Sequence, residues 1–228
     1  MNIQGIEKVS MVDFENKICA TIFTGGCNFR CPFCHNAQIV HQEFNQISEQ
    51  EIFDYLKSRK TILDGVTISG GEPCLQNDLV EFATKVKELG YQIKLDTNGT
   101  FPNKIEELAK ANLLDYVAID IKNNFANYPP ICGVQVVDTN KIKESLHLLK
   151  QYNIPYELRT TLVKGFHTKE TIEKMANDLA GEQKLFLQKF VDSGACMQNN
   201  LEEIKKAEAQ EFASILSKKI KSVSLRGY

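Results

Sequence analysis

Short apolar segments alternate with amphipathic segments along the whole chain. The apolar segments are rich in β-branched and aromatic residues, which is typical of buried strands. They predict strands at 18–24, 65–69, 91–96, 115–121, 155–163 and 184–190. Because strands and helices alternate, the pattern indicates a parallel sheet covered by helices.

The segments between the strands carry helix start and stop signals. Ser48 and Glu51 form the pattern of a capping box, which predicts a helix from there to about residue 58. Leu79, Phe82 and Val86 share one helical face, and a glycine follows where the helix would end. The same arrangement recurs before Gly181. Further helices are predicted at 103–111, 139–151 and 202–219, and a last extended segment at 222–228.

The segments between these elements indicate how many domains the chain has. No Pro/Gly/Ser-rich linker divides the sequence, so we expect one α/β domain over residues 1–228. Two connections, 122–138 and 191–201, are longer than most loops between a strand and a helix. Both follow strands, so both are expected at the carboxyl edge of the sheet, where such folds keep their active sites.

Composition excludes some partners. The net charge is -2 with no cluster of basic residues, so neither nucleic acid nor an anionic membrane is an expected partner. The N-terminal residues lack the pattern of a signal peptide, and the longest apolar run, 18–23, is too short to span a bilayer. We expect a cytoplasmic protein.

The cysteines are the strongest chemical signal. The chain has seven cysteines, an odd number, and no export signal, so a disulfide framework is not expected. A tight cluster of cysteines therefore favours metal ligation. Cys27, Cys31 and Cys34 lie close together in TGGCNFRCPFCHN. A structural zinc site needs four protein ligands, and one completed by His35 or a distant cysteine is possible, although adjacent residues rarely ligate one ion. Alternatively, three thiolates on a four-iron cluster leave one iron open.

The four other cysteines are scattered singly. We interpret Cys19, Cys132 and Cys196 as small buried hydrophobic residues. Cys74 follows a conspicuous glycine pair, and its role stays open. Because these residues lack close spacing, one cluster is expected.

Other candidate site residues follow the predicted strands. In ISGGEP, Gly70 and Gly71 permit close approach of the backbone to a ligand, and Glu72 offers an acceptor for an ammonium group. Single charged residues at strand ends are often caps or solvated side chains. A parallel barrel would nevertheless gather these at one mouth: Asp96, Asp120, Lys122 and Arg159.

The CxxxCxxC motif with Phe33 before its last cysteine resembles the signature of the radical S-adenosylmethionine (SAM) superfamily. The resemblance implies a partial TIM-type barrel, (β/α)6, open at one side. It also implies one [4Fe-4S] cluster on Cys27, Cys31 and Cys34, with SAM on the open iron. The residues implied to contact SAM are Phe33, His35, Gly70, Gly71, Glu72, Asp96, Asn98, Asp120, Lys122 and Arg159. A monovalent cation near Asp96 and Asp120 is a further option.

Within that superfamily the chain resembles activating enzymes of glycyl-radical proteins, above all the longer form of the anaerobic ribonucleotide reductase activating protein. The segments that carry this resemblance include SGGEP, LDTNGT, YVAIDIK, YELRTTLV, LFLQKF and LRGY. It implies an oxidoreductase that removes hydrogen from a glycine Cα of a partner enzyme, with flavodoxin or ferredoxin as electron donor.

Two other functions remain open. A small-molecule radical SAM enzyme resembling 7-carboxy-7-deazaguanine synthase would share the SAM-binding motifs, because a fold alone does not fix a substrate. A zinc-stabilised interaction module without catalysis is a third function, of a different class.

Overall fold

The computed structural model describes residues 1–192 and 194–228. Its contacts divide the chain into two compact units. The first unit comprises residues 1–28, 38–118 and 140–155, and the second comprises residues 29–37, 119–139 and 156–228. The single domain expected from the sequence stays a prediction.

The bounds of the regular elements are as follows. The strands are β1 (Ile3–Ser10), β2 (Cys19–Thr24), β3 (Gly65–Gly70), β4 (Gln92–Thr97), β5 (Tyr116–Asp120), β6 (Tyr156–Leu162), β7 (Lys184–Lys189) and β8 (Ser222–Arg226). The α-helices are α1 (Ala37–His41), α2 (Glu49–Ser58), α3 (Leu79–Glu88), α4 (Pro102–Lys110), α5 (Tyr128–Cys132), α6 (Thr139–Gln151), α7 (Lys169–Asp178) and α8 (Lys206–Leu216). All six predicted strands are confirmed.

The first unit is built on an open row of strands in the order β1-β2-β3-β4. β1 runs antiparallel to β2, whereas β2, β3 and β4 are parallel. The sequence analysis missed β1 because Gly5 and the polar pair Glu7 and Lys8 interrupt its apolar pattern. β5 belongs to the first unit through residue 118 and to the second unit from residue 119.

The helices of the first unit begin as the sequence predicts. The capping box of α2 is present: the Ser48 hydroxyl accepts from the Glu51 N–H at 3.2 Å, and the Glu51 carboxylate accepts from the Ser48 N–H at 3.1 Å. Leu79, Phe82 and Val86 of α3 are buried, as their common face predicts. α3 packs against β4, whose Ile93 and Leu95 are also buried.

The second unit contains β6, β7 and β8 in that order, an open and parallel row. The last extended segment of the sequence is therefore a strand. Ile172 and Met175 of α7 and Phe212 of α8 are buried with the apolar residues of β6 and β7. α8 is shorter than predicted.

The long connection 122–138 is not an irregular loop. It contains a 3₁₀ turn, Phe125–Asn127, followed by α5. Pro129 and Pro130 suggest a loop, but they occupy the first turn of α5, where no backbone N–H is needed. Gly133 ends the helix with a φ of 62°. The second long connection, 191–201, includes Ser193, which lies outside the described residues.

No helix within residues 1–192 and 194–228 is both long enough and apolar enough for a membrane crossing.

Candidate active site

Gly70 and Gly71, in the first unit, allow two backbone segments to touch. The Gly71 N–H donates to the Thr24 carbonyl and the Glu72 N–H to the Gly26 carbonyl, both at 2.8 Å. A Cβ on Gly71 would lie 1.9 Å from the Gly26 oxygen. A Cβ on Gly70, where φ is 118°, would lie 2.3 Å from the Thr24 nitrogen. Because neither glycine has a side chain, the segment that leads into Cys27 can pack directly against the backbone of residues 70–72.

Glu72 turns its carboxylate into the protein and is only 1% exposed. One oxygen accepts from the Thr97 hydroxyl at 2.7 Å and the Cys74 N–H at 3.0 Å, and the other accepts from the Asn98 N–H at 2.7 Å. These donors occupy most of its acceptor capacity. Burial raises the pKa of Glu72 despite these hydrogen bonds. Its carboxylate fixes the end of β4, and its role toward an ammonium group stays a prediction.

The Asn98 side chain is also held by neighbours of its own unit. Its amide nitrogen donates to Asn28 at 2.8 Å, and its oxygen accepts from the Thr100 N–H at 3.0 Å. Asn28 in turn donates to the Thr100 hydroxyl at 3.0 Å. This network ties the turn after β4 to the residue that follows Cys27, so contact between Asn98 and SAM stays a prediction.

Asp96 is paired with a buried lysine. The Lys94 ammonium lies 3.0 Å from one Asp96 oxygen, and the Ser69 hydroxyl donates to the other at 3.3 Å. Lys94 also donates to the carbonyl of Asp13. Sequence reasoning missed Lys94, because one lysine in a strand is usually solvated. Its charge neutralises Asp96 within the first unit.

Cys74 is buried beside Glu72. Burial raises the pKa of its thiol well above the ordinary range, and the Glu72 charge raises it further. The thiol contacts the Thr97 hydroxyl at 3.7 Å. A buried thiol with a raised pKa is favoured in its protonated form, which supports a structural role for Cys74.

The cysteine motif is divided between the units. Cys27 is part-exposed in the first unit, whereas Cys31 and Cys34 lie in the second, where the Cys34 N–H donates to the Cys31 carbonyl at 3.0 Å. A hydrogen bond from Cys132 lowers the pKa of Cys31 to about 7, outweighing burial. Burial raises the pKa of Cys34.

Asp120, Lys122 and Arg159 come together in the second unit. The Asp120 carboxylate lies 3.0 Å from the Lys122 ammonium and 2.9 Å from Arg159 Nε. Desolvation raises the pKa of Asp120, but the charges of Arg159 and Lys122 outweigh it and lower the pKa to about 2. Burial lowers the pKa of Lys122, and the Asp120 charge more than compensates, so the net shift is upward. Two cations and one anion give the trio a charge of +1.

Two residues that the sequence analysis left unassigned hold Lys122 in place. The buried Tyr128 hydroxyl accepts from the Lys122 N–H at 3.1 Å. The Nε2 atom of His167 lies 2.9 Å from the Lys122 carbonyl oxygen. His167 is buried, and its contacts with the Lys122 and Val163 backbones give it a structural role. Tyr128 follows an ordinary helix start and carries no sequence signal.

Phe33 and His35 flank the last motif cysteine and pack against other aromatic rings of the second unit. Phe33 lies 6.2 Å from the Phe166 ring centre, and His35 stacks on Phe190 at 5.5 Å. Burial lowers the pKa of His35. Cys196 is part-exposed, with its sulfur 4.0 Å from His35 Nδ1, so its interpretation as a buried hydrophobic residue is wrong. Cys19 and Cys132 are buried as expected.

The donor chemistry fits an iron–sulfur cluster. Over the described part of the chain, no three His, Cys, Asp or Glu side chains are grouped as ligands of one metal ion. The assignment of Cys27, Cys31 and Cys34 therefore depends on their thiol chemistry and spacing. Soft thiolates are the ligands that such clusters require. The backbone contacts of Gly70 and Gly71 fix the segment that precedes Cys27.

Solved structures provide a first comparison. The fold is similar to the crystal structure of a radical SAM methyltransferase from Sphaerobacter thermophilus, with a TM-score of 0.66. The match covers 94% of this chain and 68% of that chain at 14% sequence identity. At this identity the likeness concerns the fold alone, and it confirms the expected radical SAM α/β fold.

Sequence comparisons carry the family assignment. A family model described as "Radical SAM superfamily" matches residues 21–179. The chain is 37% identical over 235 residues to the proposed glycyl-radical enzyme activating enzyme MJ1227 of Methanocaldococcus jannaschii, covering 98% of this chain and 95% of that protein. It is 30% identical over 183 residues to the pyruvate formate-lyase-activating enzyme of Clostridium pasteurianum, covering 77% and 74%. The chain therefore belongs to the radical SAM superfamily and, within it, to the glycyl-radical enzyme activating enzymes.

Proposed function

We propose that this chain activates an anaerobic ribonucleotide reductase by generating a glycyl radical on it. The observation that carries the proposal is the match to MJ1227 over almost the whole chain. The choice of a reductase as partner is supported by the sequence resemblance, which extends from the cysteine motif to the closing LRGY.

The chain supplies charge and position, whereas the cofactors supply the reaction. Cys27, Cys31 and Cys34 would hold the cluster, which when bound and reduced would supply one electron for the cleavage of SAM to methionine and a 5′-deoxyadenosyl radical. That radical would take one hydrogen atom from the glycine Cα. Asp120, Lys122 and Arg159, with their net positive charge, are suited to hold an anionic carboxylate and a ribose. Tyr128 and His167 fix the backbone of Lys122, and Asp120 accepts a hydrogen bond from its ammonium group.

The experiment is an anaerobic incubation with a ribonucleotide reductase from the same cell, SAM and a chemical reductant. We expect a doublet glycyl signal in electron paramagnetic resonance on the reductase, with 5′-deoxyadenosine formed alongside. A Cys31→Ala variant serves as the control and should give neither product.

The outcome that contradicts the proposal is SAM cleavage without a glycyl signal on the reductase. The same incubation with pyruvate formate-lyase then separates the wrong glycyl-radical partner from a small-molecule substrate. An oxygen-indifferent, colourless protein would instead favour the zinc-stabilised module.

The electron donor and the location belong to the same proposal. We propose flavodoxin or ferredoxin as the donor and the cytoplasm as the compartment. Replacing the chemical reductant by each reduced protein, and measuring the yield of 5′-deoxyadenosine, tests the donor. A monovalent cation near Asp96 or Asp120 has less support, because each carboxylate already pairs with a cationic side chain of its own unit.

A further inference from the structure

Lys94 lies in β4 and is buried within the first unit. The charge of a lysine normally stays in water. The strand register places Thr67 of β3 beside Lys94 and Thr21 of β2 beside Thr67, so the three side chains share one face of this row of strands. A buried ammonium group is costly unless it is paired and hydrogen-bonded. The surroundings of Lys94 must therefore supply such partners.

The groups that meet the Lys94 ammonium are oxygen atoms. The ammonium lies 3.0 Å from one Asp96 carboxylate oxygen and donates to the carbonyl of Asp13. Two hydroxyls hold these partners: Thr21 donates to the Asp13 carboxylate at 2.6 Å, and Ser69 donates to the second Asp96 oxygen at 3.3 Å. Carboxylate and carbonyl oxygens are also the ligands that hard metal cations prefer in proteins. The ammonium group thus lies in oxygen-lined surroundings that would suit a small cation.

Little solvent reaches the contact between Lys94 and Asp96. Their side chains are 4% and 12% exposed, so dissolved ions screen their attraction weakly. Because the ammonium group is tethered to β4, it binds Asp96 without the entropy cost of capturing an ion from solution. A free cation could bind the same oxygen atoms only by displacing the lysine.

We propose that the Lys94 ammonium takes the place of a monovalent metal ion in the first unit and positions Asp96, so that this site needs no free cation. By binding both the Asp13 carbonyl and the Asp96 carboxylate, Lys94 joins the loop between β1 and β2 to the end of β4. Lys94 is a positioning residue, because it acts through Asp96. The proposal depends neither on the partner protein nor on a contact between Asp96 and SAM.

The test is urea unfolding of the full chain, reconstituted with its cluster under anaerobic conditions, in ammonium, potassium or choline chloride at equal ionic strength. Each value is compared with that of the parent protein in the same salt, which removes general salt effects. Lys94→Ala opens a space that ammonium and potassium ions fit and choline does not. We expect either small ion to raise the ratio of folded to unfolded Lys94→Ala protein about tenfold over choline, as for an ion present at about ten times its dissociation constant.

Two variants control this result. Lys94→Met keeps most of the side-chain volume without the charge, so no space opens for an ion and the three salts should act alike. Lys87→Ala breaks another ion pair of the first unit, with Asp115, whose two side chains are 26% and 30% exposed. Because solvent already reaches that pair, we expect no preference for ammonium or potassium over choline.

Two results of the salt comparison would overturn the proposal. Equal stability of Lys94→Ala in all three salts would show that no ion replaces the ammonium group. Stabilisation of Lys94→Met by ammonium or potassium ions as large as that of Lys94→Ala would show that the ion binds elsewhere in the protein.

Lys94→Ala could be unfolded in choline chloride, and circular dichroism then gives the answer. We expect the variant to refold when ammonium or potassium ions are added, and failure to refold in every salt would contradict the proposal. None of these measurements involves SAM cleavage or the glycyl radical, so failure here is distinguishable from failure of the proposed function.

Discussion

Glu72 and Asp120 are acidic residues at or just beyond the carboxyl ends of β3 and β5, but their surroundings differ. Glu72 is 1% exposed and receives its hydrogen bonds from two backbone N–H groups and a hydroxyl. The Asp120 side chain is 32% exposed and lies between Lys122 and Arg159. One carboxylate is enclosed among neutral donors, and the other is held ionised between cations.

This difference indicates that the two carboxylates have different tasks. Burial raises the pKa of Glu72, whereas the charges of Arg159 and Lys122 overcome desolvation and lower that of Asp120 to about 2. The Glu72 carboxylate holds the backbone of Cys74 and Asn98 in place, because each buried N–H group needs an acceptor. Partly exposed charges can still exchange partners with a ligand. We infer that Glu72 organises the fold and that Asp120 serves the cofactor.

The largest effect is expected where the backbone is most tightly packed. In Gly71→Ala the new Cβ would lie 1.9 Å from the Gly26 oxygen, and neither backbone can yield without moving the segment before Cys27. We expect a loss of about 3 kcal/mol in the free energy of unfolding, at the upper end for overpacking, and poor cluster assembly. Urea unfolding and iron analysis measure both quantities.

Gly5→Ala is the control for this variant. A Cβ there meets Phe23 at 3.6 Å, an ordinary contact, so stability and iron content should stay close to those of the parent. Equal behaviour of the two variants would remove the special role assigned to the glycine pair.

Most of the fold could be predicted from the sequence, because short apolar segments mark β2 through β7 and helical patterns mark most of the helices. β1 escaped prediction since its residues are largely polar on the exposed side. α5 escaped because Pro129 and Pro130 signal a break, although a helix accepts both in its first turn.

The site was less predictable than the fold. The cysteine spacing, the glycine pair and the charges at strand ends are visible in the sequence. What could not be predicted is the direction of a side chain: Glu72 points inward, and Lys94 is buried against Asp96. The hydrogen bond from the Arg30 N–H to the Cys132 carbonyl joins the cysteine motif to a residue about a hundred positions away, which no local pattern reveals.

Replacing each carboxylate by its amide should distinguish the tasks of Glu72 and Asp120 through their effects on stability and on SAM cleavage. In Glu72→Gln one acceptor becomes an N–H₂ group facing a donor, so we expect a loss of about 1–3 kcal/mol in unfolding free energy. In Asp120→Asn the cost in stability should be smaller, because the side chain is partly solvated, while SAM cleavage falls sharply. Urea unfolding and the yield of 5′-deoxyadenosine provide the two readouts.

The comparison fails if the two variants exchange their effects. A stable Glu72→Gln protein that no longer cleaves SAM would make Glu72 a cofactor ligand, as the sequence resemblance implies. Asp120→Asn with full SAM cleavage would leave the ion-pair trio a purely structural feature.

Acid should distinguish the same two residues. Because the folded-state pKa of Asp120 is lowered to about 2, its contribution to stability is complete above the ordinary aspartate pKa near 4 and is lost as the pH falls from about 4 to about 2. The raised pKa of Glu72 acts in the opposite sense, since its contribution is lost as the pH rises through that value.

The measurement compares unfolding free energies at pH 5 and pH 2.5. We expect the parent to lose on the order of 1 kcal/mol more than Asp120→Asn, a modest value because solvent screens this side chain. An equal loss in both proteins would show that the charges of Lys122 and Arg159 do not hold Asp120 ionised.

The smallest effect is expected at Cys74, which shares the enclosed surroundings of Glu72. Cys74 is buried beside the Glu72 carboxylate, which raises the pKa of its thiol further, and it lacks the close spacing of the motif cysteines, so we expect it not to ligate iron. In Cys74→Ala we expect full iron content and a loss of about 0.5–1 kcal/mol in unfolding free energy, because only one buried atom is removed. Cys31→Ala, assayed in parallel, should lose the cluster. Equal loss of iron in both variants would place a cluster ligand in the region that we assign to structure alone.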